Sequence, residues 1–260
     1  GSASEGLLLS EGEQWRRQRL LIQNAFTPDR IESYADAMVA ETERAVEAWQ
    51  GQETIELKDA TSALTLRILA RSLFDLDLDD RIEVVRRAAE ALNGRANAQN
   101  LSAFIPSWLP TPTNRRLHRA MGDMESLLDD LVGERRASAS DGDDLLSLLL
   151  GAETEDGSTL SEREVKDQLV TFLFAGHETT ALALTYALHA LGHHPEKRRR
   201  LREEVASVTG GDPPTLSDLP DLTYTERVVR ETLRLYPPAY ALFREAREDA
   251  EIGGYRVPEG

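Results

Sequence analysis

Within Phe172-Leu173-Phe174-Ala175-Gly176-His177-Glu178-Thr179-Thr180, a carboxylic acid and a pair of hydroxyls stand beside small residues in an otherwise apolar stretch. From Leu169 to Leu191 the apolar pattern runs nearly all the way round, which in a soluble chain marks a helix through a core. Burying a carboxylate there costs free energy unless it is paired, hydrogen-bonded or protonated, and such carboxylates gather at functional sites. Glu178 and its neighbour Thr179 are therefore the first candidate site. Trp15 and Arg19 are spaced i, i+4, so an indole N–H and a guanidinium project from one helix face. Two such donors suit an anionic oxygen ligand such as a carboxylate. The plainer reading is a solvated basic helix with Trp15 as its core anchor. Glu231 and Arg234, spaced i, i+3, can pair, as many exposed helix pairs do. His189 and His193 have the spacing of helical metal ligands, but no cysteine or carboxylate is placed to complete a site. Histidines at a helix C-terminus also interact favourably with its dipole. His177-Glu178 begins like a His-Glu-x-x-His zinc motif, but Ala181 occupies the second histidine's position, and no metal ligand is assigned.

Helical punctuation positions these residues. Trp15 to Ala25 reads as a helix, and Thr27 and Pro28 start another that runs to about Trp49. Glu53 to Lys58 alternates and predicts one short strand, after which Asp59 caps a helix carrying Leu64, Ile68, Leu69 and Leu73. Further helices are predicted over Asp79 to about Asn100, Thr113 to Ala137 and Leu145 to Leu150. The proline-rich connector Ile105–Pro112 and the break Ser138–Gly142 separate them. Ser161-Glu162-Arg163-Glu164 is a capping box opening a helix to about His193, roughly 50 Å long. Helices from Pro195 and over Leu222–Tyr236 follow, then a strand-like tail with a tight turn at Gly253-Gly254. The sum is a mainly α fold with minor β.

Composition narrows the partners. The 260 residues carry a net charge of −16, which disfavours nucleic acid and suits a basic protein partner. Zero cysteines exclude disulfides and thiolate sites within this stretch and fit a cytoplasmic protein. Gly1-Ser2-Ala3-Ser4 lacks a secretory signal. No run reads as a clean membrane span, because His177, Glu178 and several threonines interrupt the closest candidate.

Taken in order, the motifs resemble the cytochrome P-450 family of haem-thiolate monooxygenases. Ala175-Gly176-His177-Glu178-Thr179 resembles its oxygen-binding motif on the long central I helix, and Glu231-Thr232-Leu233-Arg234 the Glu-x-x-Arg of its K helix. Trp15-Arg16-Arg17-Gln18-Arg19 resembles the C-helix Trp-x-x-x-Arg. Phe243-Arg244-Glu245-Ala246, followed by Ile252–Pro258, resembles the segment after the K helix. The resemblance implies that residues 1–260 are a single partial domain of that multi-helix fold, from the C helix through the strands after the K helix. It implies a haem cofactor, oxygen insertion into a small organic substrate, and electrons from NAD(P)H through a ferredoxin- or flavoprotein-type donor. Thr179 would hydrogen-bond the bound dioxygen and help deliver protons supplied by Glu178. Ala175 and Gly176 would let the macrocycle approach the helix backbone. A hydroxyl at Thr179 can also compete for a backbone carbonyl and open the helix locally. Trp15, Arg19 and Arg244 would bind the haem propionates, Glu231 and Arg234 would hold the surrounding structure, and the connector around Trp108 would gate substrate entry.

The family's cysteine ligand lies well beyond the K helix in a Gly-rich loop, and no cysteine occurs among these residues. The expectation is an inactive central fragment of a monooxygenase, whose continuation past Gly260 would carry Phe-x-x-Gly-x-x-x-Cys. The competing expectation is a non-catalytic helical interaction domain, or a degenerate relative without haem.

Overall fold

The helices that begin at Pro112, Leu145, Glu162 and Thr223 start where a side chain accepts from their first amides, supplied by Thr111, Asp144, Ser161 and Glu204 respectively. The protein is seen here as a computed structural model, which describes residues 6–74, 81–96, 109–137, 144–154, 157–242 and 244–260. Helix α1 (Gly12–Ile22) passes through a 3-10 turn over Gln23–Phe26 into α2 (Pro28–Ser33) and α3 (Ala35–Trp49). Pro28 takes the first position of α2, while Thr27 contributes its carbonyl rather than its hydroxyl, accepting from Ile31 N–H at 3.0 Å. Helix α4 (Leu57–Phe74) then replaces the strand expected over Glu53–Lys58. The Ala60 amide donates to the Glu56 carbonyl at 3.0 Å, so the helix starts ahead of Asp59 and absorbs Leu57 and Lys58. A lone alternating segment without a partner strand leaves its backbone unsatisfied, whereas a helix closes its own hydrogen bonds.

Helices α5 (Ile82–Ala96), α6 (Pro112–Ala137) and α7 (Leu145–Gly151) lead to α8 (Glu162–His193), which at 1.5 Å per residue is about 48 Å long. The expected capping box is present at its start: Ser161 N–H donates to Glu164 Oε2 at 2.8 Å and Glu164 N–H to Ser161 Oγ at 3.3 Å. Next come α9 (Pro195–Thr209) and α10 (Thr223–Leu235). The tail forms one antiparallel hairpin, β1 (Ala250–Ile252) with β2 (Tyr255–Val257), and Ile252 pairs with Tyr255 across it. Gly253 and Gly254 both take positive φ, 59° and 84°, as the two-residue turn between them requires. Connector residues 105–108, the break 138–142 and Phe243 lie outside the described residues.

The core sits on the N-terminal half of α8. Val165, Leu169 and Leu173 meet Leu127, Leu128, Leu131 and Val132 of α6, Leu145, Leu146 and Leu149 of α7, and Leu66 of α4. Burial then stops abruptly. Past Ala181, only Leu222 and Thr232 are buried among the described residues. The accessible surface is 17325 Å², where a compact monomer of 28.9 kDa exposes about 11,400 Å². Leu184 and Leu188 of α8, with Val229, Leu233 and Leu235 of α10, contribute apolar area to that surface. No described helix is long and apolar enough to cross a membrane.

Candidate functional site

The middle of α8 carries three main-chain carbonyls that each receive an extra donor. His177 Nδ1 lies 2.6 Å from the Leu173 carbonyl, so that nitrogen carries the proton. Thr179 Oγ1 donates to the Ala175 carbonyl at 2.7 Å, and Thr65 Oγ1, from α4, lies 3.0 Å from the His177 carbonyl. Second donors compete with the helical ladder and bend helices. The ladder nevertheless holds, and α8 is unbroken from Glu162 to His193. The expected competition is present, but the expected local opening is not.

Around this turn the two sides of α8 differ. Ala175, Thr179 and Thr180 are exposed, so a small residue and hydroxyls line an uncovered face. Gly176 faces inward to α4: a Cβ there would come within 2.9 Å of Leu69 Cδ1. Its missing side chain therefore serves the approach of α4 to α8. The deeply buried polar side chain of the stretch is His177, 2% exposed, whereas Glu178 is half-buried. This corrects the expectation of a buried Glu178. The apolar pattern tells that a helix is central, but α4 covers only one side of it at this height, and Glu178 lies off that side.

On α1, Trp15 and Arg19 project outward, and neither side chain has a hydrogen bond or ion pair among the described residues. Two contacts tie this helix and the turn after it to α8. Arg17 pairs with Glu164 while its Nη1 donates to the Thr159 carbonyl at 3.0 Å, and the rings of Phe26 and Phe172 lie 5.3 Å apart. Arg244 is exposed, in the segment before β1. That tail folds on itself, with Gly260 N–H donating to the Ala246 carbonyl and Asp249 holding Arg256 at 2.6 Å.

Glu231 and Arg234 form the predicted pair with two parallel bonds of 2.7 Å each. Their mutual hydrogen bond is the main reason that the Glu231 carboxyl titrates below its ordinary range and the Arg234 guanidinium above its own. Both are exposed, and α10 meets α8 through stacking of Tyr236 on Tyr186 at 5.1 Å. His193 Nδ1 donates to the His189 carbonyl at 2.9 Å and His194 Nδ1 to the Ala190 carbonyl at 2.8 Å, so these imidazoles cap the carbonyl end of α8. No cluster of three His, Cys, Asp or Glu side chains suited to a metal occurs among the described residues.

Two features escaped the reading of the chain. Thr65 and Leu69 of α4 build the inner side of the α8 turn, and the only trace of this is the polar pair Thr61 and Thr65, spaced i, i+4 among apolar residues. Glu204 of α9 accepts the amides of Tyr224 and Thr225 at 2.6 and 2.8 Å, fixing the start of α10 from a neighbouring helix. A carboxylate capping another helix leaves no local signature.

A mainly helical architecture around one long internal helix, with a threonine-bearing turn open on one side, is the class of structure defined by this geometry. The sequence matches the family model described as Cytochrome P450 over residues 1–260, and the chain belongs to the cytochrome P-450 family. Cyclooctat-9-en-7-ol 5-monooxygenase of Streptomyces melanosporofaciens is 40% identical over 98% of this chain, and pentalenene oxygenase of Streptomyces avermitilis is 36% identical over 99% of it. The chain spans 56% and 58% of those proteins, respectively. A cyanobacterial member solved with retinoic acid bound superposes with a TM-score of 0.87 at 27% identity, over 99% of this chain and 57% of that one.

Proposed function

We propose that the chain is the oxygen-handling portion of a haem-dependent monooxygenase that inserts one oxygen atom from O2 into an organic substrate. The observation that carries this reading is the uncovered α8 face, where Ala175 and the hydroxyls of Thr179 and Thr180 stand exposed beside a buried, tightly packed core. The residues fit a haem. Ala175 keeps that face low enough for a flat macrocycle, and Gly176 lets α8 sit close on α4 behind it. Trp15 and Arg19 offer an N–H and a guanidinium to carboxylates, and Arg244 adds a second exposed guanidinium. Haem, when bound, supplies the binding and reductive activation of dioxygen.

The protein's own share is proton handling and orientation. Thr179 Oγ1 rests on the Ala175 carbonyl and can turn outward to donate at the open face, with the vacated carbonyl still held by the helical ladder. Glu178, half-buried one residue before, would pass protons from solvent toward that hydroxyl. Glu231 and Arg234 act on the structure, bracing α10.

Since these 260 residues contain no cysteine, a thiolate ligand would come from polypeptide outside them, and the stretch alone would not catalyse. Electrons would come from NAD(P)H through a ferredoxin- or flavoprotein-type donor, a basic one being favoured by the net charge of −16. The names of the two Streptomyces relatives support a small, largely hydrocarbon substrate. A cytoplasmic location suits the cysteine-free composition. The test is the carbon monoxide difference spectrum of the full-length reduced enzyme. The band of thiolate-ligated haem is expected, and an enzyme without haem absorbance would refute the reading.

A further inference from the structure

The inner side of the same turn points to a residue with no assigned role. Thr65 is 4% exposed on α4, the helix that packs along α8. Its hydroxyl lies 3.0 Å from the His177 carbonyl and 3.2 Å from that of Ser62 in its own helix. One proton serves both, and the shorter contact is the one across the seam. His177 is the second residue before Thr179, and its carbonyl ends a run of three that carry extra donors, after Leu173 and Ala175. One turn further along α4, Leu69 fills the space left by Gly176. Hydroxyl and leucine thus grip two consecutive residues, Gly176 and His177, immediately before Glu178 and Thr179. The grip is local: the next hydroxyl contact of this seam, Thr61 to Thr185 at 2.8 Å, lies beyond the turn.

We propose that Thr65 is a positioning residue. By donating to the His177 carbonyl it fixes the rotation and height at which α8 presents Thr179 on its open face. The helical turn carries three closely spaced competing donors, which bend helices. A bond from a neighbouring helix, made in a buried seam, limits that deformation from behind. The proposal rests on the assignment of Thr179 above, so its test must separate the two.

In the full-length holoenzyme, Thr65→Val removes the hydroxyl with little change of shape. Product formed per NAD(P)H consumed should fall by about two- to tenfold, the range one neutral hydrogen bond is worth, with haem content unchanged. Thr65→Ser should restore coupling. Thr61→Val removes the other seam hydroxyl and should leave coupling intact. In the same holoenzyme, amide hydrogen exchange of Thr65→Val should accelerate within residues 175–182 and not across α6. Unchanged coupling in Thr65→Val beside an uncoupled Thr179→Ala would overturn the positioning role alone. Unchanged coupling in Thr179→Ala would instead remove the parent assignment. Equal losses in Thr65→Val and Thr61→Val, or accelerated exchange everywhere, would reduce Thr65 to general packing and overturn the proposal.

Discussion

Thr179 has to satisfy two demands with one hydroxyl. At rest it bonds the Ala175 carbonyl at 2.7 Å, and in the proposed function it turns to serve the open face. Thr179→Ala leaves the α8 ladder intact but removes the hydroxyl, and with it both the bond to the Ala175 carbonyl and the donor for the open face. In the full-length enzyme it is expected to lower product per electron pair about tenfold or more while electron consumption continues, as loss of a positioned proton donor does. Comparing NAD(P)H use with product measures this, and preserved coupling would contradict the role. Arg19 stands at the opposite pole, a cation with no ion pair among the described residues. Arg19→Ala should reduce haem retention by about tenfold without lowering the melting temperature of the haem-free protein, because no side-chain hydrogen bond or ion pair among the described residues is lost. Absorbance after gel filtration, beside a thermal scan, checks both halves of that statement.

The elements stand or fall by how α8 is started and how closely α4 approaches it. Glu164 closes the capping box and meets Arg17 of α1. Burial opposes its ionisation, yet the Ser161 amide and hydroxyl and the Arg17 guanidinium outweigh burial and hold the carboxyl below its ordinary 4.5. A carboxyl held low contributes stability that is full above the unfolded value and fades as pH falls through the folded one. Glu164→Gln should therefore cost about 1 kcal/mol at neutral pH and nothing at strongly acid pH, as urea midpoints at the two pH values would report. At Gly176, alanine gains roughly 1 kcal/mol of helix propensity and meets Leu69 Cδ1 at 2.9 Å in a packed seam. Overpacking costs about 1–3 kcal/mol, so Gly176→Ala is expected to destabilise by about 1 kcal/mol and to do so far less in a Leu69→Ala background. Local rules made most of these elements readable. The capping box, Pro28 and the Gly-Gly turn act over a few residues. The strand predicted over Glu53–Lys58 was lost because pairing is a long-range condition that alternation alone does not report. Likewise, spacing shows that Ala175 and Gly176 are small. It does not show that one faces outward and the other meets Leu69.

At the scale of the molecule, burial is lopsided. Among the described residues nearly all burial lies before or at Ala181, while α9 and α10 rest against the later part of α8 and keep most of their surface exposed. Amides of α9 and α10 should therefore exchange faster than those of α6 and of α8 before Ala181, since protection follows buried apolar contact. Exchange mapped by mass spectrometry would show a step near Ala181, and uniform protection would contradict this account. Composition and periodicity gave the fold class without this asymmetry, because amphipathic helices look alike whether their apolar faces are covered or exposed. The central claim is that the Ala175–Thr179 face of α8 receives the haem, and the most direct measurement is haem bound per polypeptide in the full-length enzyme with a bulky residue on that face. Ala175→Trp, exposed and so free to fold, is predicted to lose haem while keeping its helical circular dichroism. Full haem occupancy in Ala175→Trp would contradict the claim.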